Sequence, residues 1–196
     1  MSEVTMLGWD ELIERCTDCM ACSLGKTRTN IVIGRGNKNA PIMFIGEGPG
    51  EQEDEQGLPF VGAAGKLLDT LINALMIDEM DYYIANIVKC RPPNNRVPLE
   101  EEAEKCLGYL RNQVFLVKPS IIVCLGATAV KYIVDKEAKI TQIRGQWINR
   151  KNCWIMPTYH PAALLRDEAK KVYMWKDMKQ VKDKLEELKS EVQKSS

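Results

Sequence analysis

The chain holds one histidine, His160, in the segment TYHPAALLRD, and seven cysteines, among them Cys16, Cys19, Cys22, Cys90 and Cys106. An imidazole changes charge near neutral pH, so a lone histidine is either a satisfied structural residue or the chain's one proton or electrophile carrier in that range. Residue type alone favours the structural reading. Its place directly after an apolar run and before a proline favours an exposed rim, and with no second histidine a His-based metal site is excluded. The cysteines offer a second chemistry. A C-x2-C pair near the N-terminus and a second pair with fifteen residues between them, Cys90 and Cys106, can supply four thiolates to zinc or to an iron–sulfur cluster, and spacing leaves that choice open. An odd thiol count argues against a disulfide framework. Cys106 lies on an apolar helical pattern, and Cys124 and Cys153 lie inside apolar runs where thiols act as small hydrophobes.

Carboxylates cluster in GEGPGEQED, where Glu47 and Glu53 stand among Gly46, Gly48, Pro49 and Gly50. The glycine spacing is neither the dinucleotide fingerprint nor a phosphate loop. Glycines permit a tight turn with close backbone approach by a ligand, and the acidic residues disfavour a phosphate. The combination suits an uncharged ring and an activated water. Asn86, in ANIVKCRPP, is either a turn residue or an amide that reads a ligand edge.

These residues need elements to bring them together. Four short apolar runs, IMFIG from Ile42, YYIANIV from Tyr82, SIIVCLG from Ser120 and CWIMPT from Cys153, read as strands buried on both faces of a parallel sheet. Between them, Leu67, Leu68, Leu71, Ile72, Leu75 and Met76 trace one helix face, and Ala103, Cys106, Leu107, Leu110 and Val114 another. A C-terminal amphipathic helix is predicted over about 168–192, with Val172, Trp175, Met178, Val181, Leu185, Leu188 and Val192 facing inward, followed by a disordered tail at 193–196. Alternation of strands and helices predicts an α/β fold in a single domain over 1–196. Ligands bind beyond the carboxyl ends of parallel strands, so Glu47, Asn86 and His160 should gather on one rim.

Composition narrows the partners. Lys plus Arg and Asp plus Glu number 27 each, so no global basic field draws the chain to nucleic acid, and any such contact needs a local patch. No apolar run is long enough to span a membrane, and the N-terminus lacks the order of a signal peptide, so a soluble cytoplasmic protein with no membrane partner is expected.

Taken in order, CMACSLGKTRT, GEGPGEQED, PFVGAAGKLL, NIVKCRPPNNRVP and HPAALLRD resemble the family 4 uracil-DNA glycosylases, the iron–sulfur branch of that superfamily, across residues 16 to 167. The resemblance implies a three-layer α/β/α sandwich around a four-stranded parallel sheet, a 4Fe-4S cluster on Cys19, Cys22, Cys90 and Cys106, and removal of uracil from DNA by a monomer. It places Glu47, Gly48, Pro49, Phe60, Asn86 and His160 around the uracil: Phe60 stacking on the base, Asn86 reading its edge, His160 facing a carbonyl. Glu47 and Glu53 remain unranked as the acidic residue. Arg91, Arg96 and Arg166 are candidate DNA-backbone contacts, and Leu164 or Leu165 a candidate wedge. Cys16 departs from the pattern as a third N-terminal thiol. The alternatives are a non-catalytic iron–sulfur nucleic-acid module and a glycosylase for another deaminated base.

Overall fold

The computed structural model describes residues 6–150 and 153–194, the side chain of Val192 aside. In chain order, α1 (Trp9–Thr17) and a short 3-10 turn (Ser23–Lys26) lead to β1 (Arg35–Gly36), β2 (Ile42–Gly46), α2 (Glu51–Gln56), α3 (Ala63–Ala74) and β3 (Tyr82–Asn86). There follow α4 (Glu100–Val117), β4 (Ile121–Leu125), α5 (Ala127–Ile133), α6 (Ile140–Ile143), β5 (Ile148–Arg150), β6 (Cys153–Thr158), α7 (Pro161–Arg166) and α8 (Lys170–Lys194).

The strands form one sheet in the order β1-β3-β2-β4-β6-β5. Its centre, β3-β2-β4-β6, is parallel throughout, as the apolar runs predict, while β1 and β5 pair antiparallel with their neighbours and close the two edges. The sheet is therefore six-stranded and mixed rather than four-stranded. At two and three residues, the edge strands are too short to show a period of two in the sequence.

Alternation along the central strands divides the core in two. Met43, Ile45, Ile122 and Cys124 pack with Leu107 and Leu110 of α4 and Val130 of α5. Ile42, Phe44, Ile121 and Val123 pack on the opposite face with Leu68 and Ile72 of α3, Leu164 of α7, and Met174, Met178, Val181 and Leu185 of α8. Both faces are covered, which is why these strands read as unbroken apolar runs and why the fold is the expected α/β/α sandwich.

Several sequence expectations shift in detail. The run YYIANIV is strand only to Asn86. The α3 helix stops at Ala74, and Met76, expected on its inner face, is 81% exposed with a φ of 51°. The α8 helix continues through Lys194, so Gln193 and Lys194 are helical where a disordered tail was expected, and residues 195 and 196 lie outside those described. Its inward face also starts differently: Met174 and Asp177 are buried, whereas Val172 and Trp175 are exposed.

Asp177 explains that register. Its buried carboxylate accepts hydrogen bonds from the Thr158 hydroxyl at 2.7 Å and from the Arg144 guanidinium, whose Nε lies 2.9 Å away and whose Nη2 also donates. A buried carboxylate is stable only when paired, so α8 is pinned to the end of β6, two residues before His160. Replacing Asp177 with Ala strands the Arg144 charge. We expect a loss of about 3 kcal/mol of unfolding free energy, read as a lower urea midpoint at constant slope. An unchanged midpoint would show that this anchor contributes no stability.

Candidate active site

The order in which strands are added reverses at β2: β3 lies on one side of it, β4 on the other. This switch point opens a crevice at the carboxyl ends of the strands, the place where open α/β sheets bind ligands. A cavity of about 200 Å³ occupies it. Glu47, Gly48, Pro49, Glu53, Phe60, Asn86 and His160 all line it, so residues spread over more than a hundred positions meet as the sequence predicts.

The β2–β3 ladder continues past the strands, with Ile87 donating to the Gly46 carbonyl at 2.9 Å and Val88 to that of Glu47 at 3.2 Å. Asn86 is thereby fixed at the floor. It is 1% exposed, and its Oδ1 has no hydrogen-bond partner. Gly46 makes this packing possible: a Cβ there would stand 2.5 Å from Asn86 Oδ1 and 2.6 Å from the tip of the Phe60 ring. Phe60 is held at a φ of 56°, its ring centroid 5.6 Å from that of His160. Arg35 clamps the turn before it by donating to the Pro59 carbonyl at 3.0 Å while pairing with Asp69 at 2.6 Å.

The dipeptide His160-Pro161 is a helix start. His160 is the N-cap of α7, where its Nδ1 accepts from the Ala162 amide at 3.1 Å, and Pro161 fills the first helical position, where a missing N–H is harmless. With Nδ1 accepting, the proton of the neutral ring sits on Nε2. Burial pushes the imidazole pKa down to about 4, with Arg166 adding to the effect and Glu53 opposing it. The backbone comes this close only because Gly126, at a φ of 91°, has no Cβ, which would lie 2.9 Å from that of His160.

The two carboxylates differ. Glu53 accepts from three backbone amides, those of Gly50 at 3.1 Å, Val61 at 2.9 Å and Gly62 at 2.8 Å, and so braces the turn that carries Phe60. Glu47 has one oxygen engaged by the Thr128 hydroxyl, reached across the crevice from α5. The acidic turn expected around Glu51, Glu53 and Asp54 is the helix α2. There, buried Asp54 accepts from the amides of Thr29 and Asn30 and anchors the N-terminal segment.

The candidate DNA contacts divide as well. Arg96 lines the cavity but forks onto buried Glu102, at 2.8 and 2.7 Å, and that pairing holds the Glu102 carboxyl down to about 2. Arg91 pairs with Glu51 and Asn95. Arg166 borders an adjoining groove with Leu165 and Lys170. Leu164 is a correction: it is fully buried in the core beneath α7 and cannot enter a base stack, whereas Leu165 is 52% exposed.

A second pocket gathers Cys19, Cys22, Cys90 and Cys106, with Cys16 and Lys89 in its wall. Among the described residues no three metal-binding side chains converge on one point. A thiolate-held cluster does not require that, because each sulfur takes a different iron, and the pocket is lined by the sulfurs such a cluster needs, with no carboxylate or imidazole among them. Two of the sulfurs already accept hydrogen bonds, Cys90 from Arg28 at 3.2 Å and Cys106 from the Lys89 amide at 3.3 Å. Burial pushes the Cys106 thiol up to about 11 and Cys16 to about 12, so thiolates there need a metal to hold them.

Residue reasoning missed Thr128 and Lys89. Thr128 lies three residues beyond β4, on the rim where Glu47, Asn86 and His160 are expected, and its position is the available signal. Nothing in the sequence marks Lys89 as buried.

A profile of the Uracil DNA glycosylase superfamily matches residues 33–187. The type-4 uracil-DNA glycosylase of Thermotoga maritima is 48% identical over 160 residues, covering 80% of this chain and 82% of that one. The chain belongs to this superfamily. Its branch is also clear. The type-4 enzyme of Sulfurisphaera tokodaii is 43% identical over 89% of this chain and 83% of its own, whereas a type-5 uracil-DNA glycosylase of Pyrobaculum aerophilum reaches 27% over 82% and 85%. This is the type-4 family that the ordered motifs resemble.

The depressed His160 pKa has a consequence for stability. Below its unfolded value of about 6.5 the unfolded chain takes up the proton and the folded site does not, so stability is complete above pH 6.5 and falls toward pH 4. The loss is on the order of 3 kcal/mol. His160→Gln should flatten the wild-type unfolding curve between those pH values. Parallel curves for the two proteins would show that the site does not exclude the proton.

Proposed function

We propose that this cavity receives a uracil extruded from DNA and that the chain hydrolyses its N-glycosidic bond, leaving an abasic site, as a DNA-repair glycosylase. The observation that carries the reading is Asn86, which lines the cavity and whose buried Oδ1 has no hydrogen-bond partner. A buried acceptor left unpaired costs about 1–3 kcal/mol, and a ligand N–H recovers it. Uracil offers a ring N–H beside a carbonyl, so one amide can accept from the first and donate to the second. Cytosine presents the opposite order along that edge and leaves polar groups unpaired.

Extruding the base loses a few kcal/mol of stacking and pairing, part of which the Phe60 face restores. As the bond between C1′ and the uracil nitrogen breaks, its electron pair leaves with the base and positive charge develops on the sugar. The neutral His160 ring donates its Nε2–H to the uracil oxygen where negative charge collects, acting as an electrophile rather than as an acid. Glu47 stands on the other side. One of its oxygens is positioned by Thr128, and the other faces the cation and the water that adds to C1′, taking up the water's proton. Glu53 has the supporting role its three amide partners give it. Arg166 and exposed Leu165 border the strand's path, and Arg91 and Arg96 shape the loop beside it.

The residues of the second pocket fit a 4Fe-4S cluster on Cys19, Cys22, Cys90 and Cys106. When bound, such a cluster supplies a four-point crosslink and a reversible electron couple, and bond cleavage needs neither. Its ligands tie the N-terminal segment and the Arg91–Arg96 loop to α4. Residues 1–196 would work together as a monomer.

Two experiments test this. With a uracil-containing single-stranded oligonucleotide followed by alkali, His160→Ala and Glu47→Gln should each lower single-turnover cleavage about 100- to 1000-fold with the fold retained. Glu53→Gln should lower the melting temperature more than the rate. No strand break by wild-type protein at enzyme excess would sink the glycosylase reading. Separately, protein purified under low oxygen should be brown with about four irons per chain. Ala at Cys19, Cys22, Cys90 or Cys106 should destabilise the cluster, and Ala at Cys16, Cys124 or Cys153 should not. A colourless protein with one zinc would refute the cluster.

A further inference from the structure

Lys89 lies between the two sites and belongs to neither chemistry. Its side chain is 1% exposed, among the largest fully buried side chains of the chain. Among the described residues no carboxylate pairs with it. Its ammonium donates to one group, the backbone carbonyl of Asn86, at 2.7 Å. It lines the same pocket as Cys106, Cys16 and Cys90, and its own backbone amide donates to Cys106 Sγ. A buried cation beside one neutral carbonyl is costly unless a negative charge lies close by. A cluster held on the sulfurs of this pocket would provide it.

We propose that Lys89 is a positioning residue that joins the thiol site to the base-reading site: its ammonium is the counter-charge of the thiolate-bound cluster and, through the Asn86 carbonyl, fixes the amide that reads uracil. The proposal rests on the cluster and uracil readings above. Its geometric content is short and contiguous. Asn86 ends β3 and lines the cavity, its backbone oxygen accepts from Lys89, and four residues later the chain delivers Cys90 to the pocket. With the cluster in the pocket that Lys89 lines, the ammonium stays buried with the Asn86 carbonyl as its partner at 2.7 Å. Without it, that carbonyl is the one contact left to the buried ammonium, and the last residue of the strand loosens. Loss of the cluster therefore acts on recognition of the base itself, in addition to any effect on the loop that follows. Cys16, buried in the same wall and assigned no iron, supplies packing around the ammonium.

The test uses the full chain loaded with iron, as wild type, Lys89→Met and Lys89→Arg. Three quantities are read: iron content with visible absorption, the cluster's midpoint potential, and the affinity for free uracil measured as product inhibition. Removing a cation near the cluster disfavours the more negative, reduced form, so Lys89→Met should move the potential to more negative values. Uracil affinity should fall by about tenfold, the usual effect of losing a group that orients a binding residue. Binding to an undamaged oligonucleotide should be unchanged. Lys89→Arg keeps the charge and should return the potential close to wild type. If Lys89→Met loses the cluster outright, Lys89→Arg decides: cluster and uracil affinity both retained support the proposal, and loss of both overturns it. A wild-type chain that binds iron and uracil, with Lys89→Met unchanged in potential and affinity, overturns this proposal alone. A wild-type chain that binds uracil and no iron overturns the cluster reading and this proposal with it.

Discussion

A buried amide oxygen without a partner is the constraint on which the rest of the site depends. Leaving Asn86 Oδ1 unpaired costs about 1–3 kcal/mol, and the surrounding fold holds the residue there. The ladder between β2 and β3 runs past Asn86 on both sides, Lys89 holds its backbone carbonyl, and the absence of a side chain at Gly46 lets Phe60 close over it. The two cores on either face of the sheet supply the rigidity that makes the unfavourable arrangement tolerable.

The same enclosure sets the electrostatics. A site dry enough to leave an amide unpaired is dry enough to hold an imidazole neutral, and His160 is kept so by burial first and by Arg166 second. Its N-cap bond to Ala162 then selects which nitrogen keeps the proton. A fixed neutral donor needs no reorganisation as charge develops on a departing base, and that is the advantage of preorganised dipoles over mobile water. Both properties depend on α7 starting where it does, and that in turn depends on Asp177 anchoring β6 and on Gly126 letting the chains approach.

Much of this was legible in the sequence, for physical reasons. Strands covered on both faces cannot hide their composition, so the four central strands stood out, and the carboxyl-end rule placed Glu47, Asn86 and His160 together. What was not legible depends on partners distant in sequence. The edge strands are too short for periodicity. The inner face of α8 was misjudged at its first turns because Asp177 is buried by pairing with Arg144 and Thr158, and hydropathy counts it as a surface residue. Leu164 and Leu165 are adjacent and chemically identical, so only the docking of α7 decides which enters the core.

Glu47 and Glu53 show where that limit falls. Both are acids in one glycine-rich stretch, and neither spacing nor composition separates them. Hydrogen bonding does. A carboxylate that receives three backbone amides is rigid and braces the Phe60 turn. A carboxylate held at one oxygen by a hydroxyl is oriented without being saturated, and its remaining oxygen is available to chemistry. The distinction rests on Thr128, which reaches Glu47 from the far side of the switch point. Two carboxylates of one motif thus differ in their partners, one of them held by a residue eighty-one positions away that the strand order brings near.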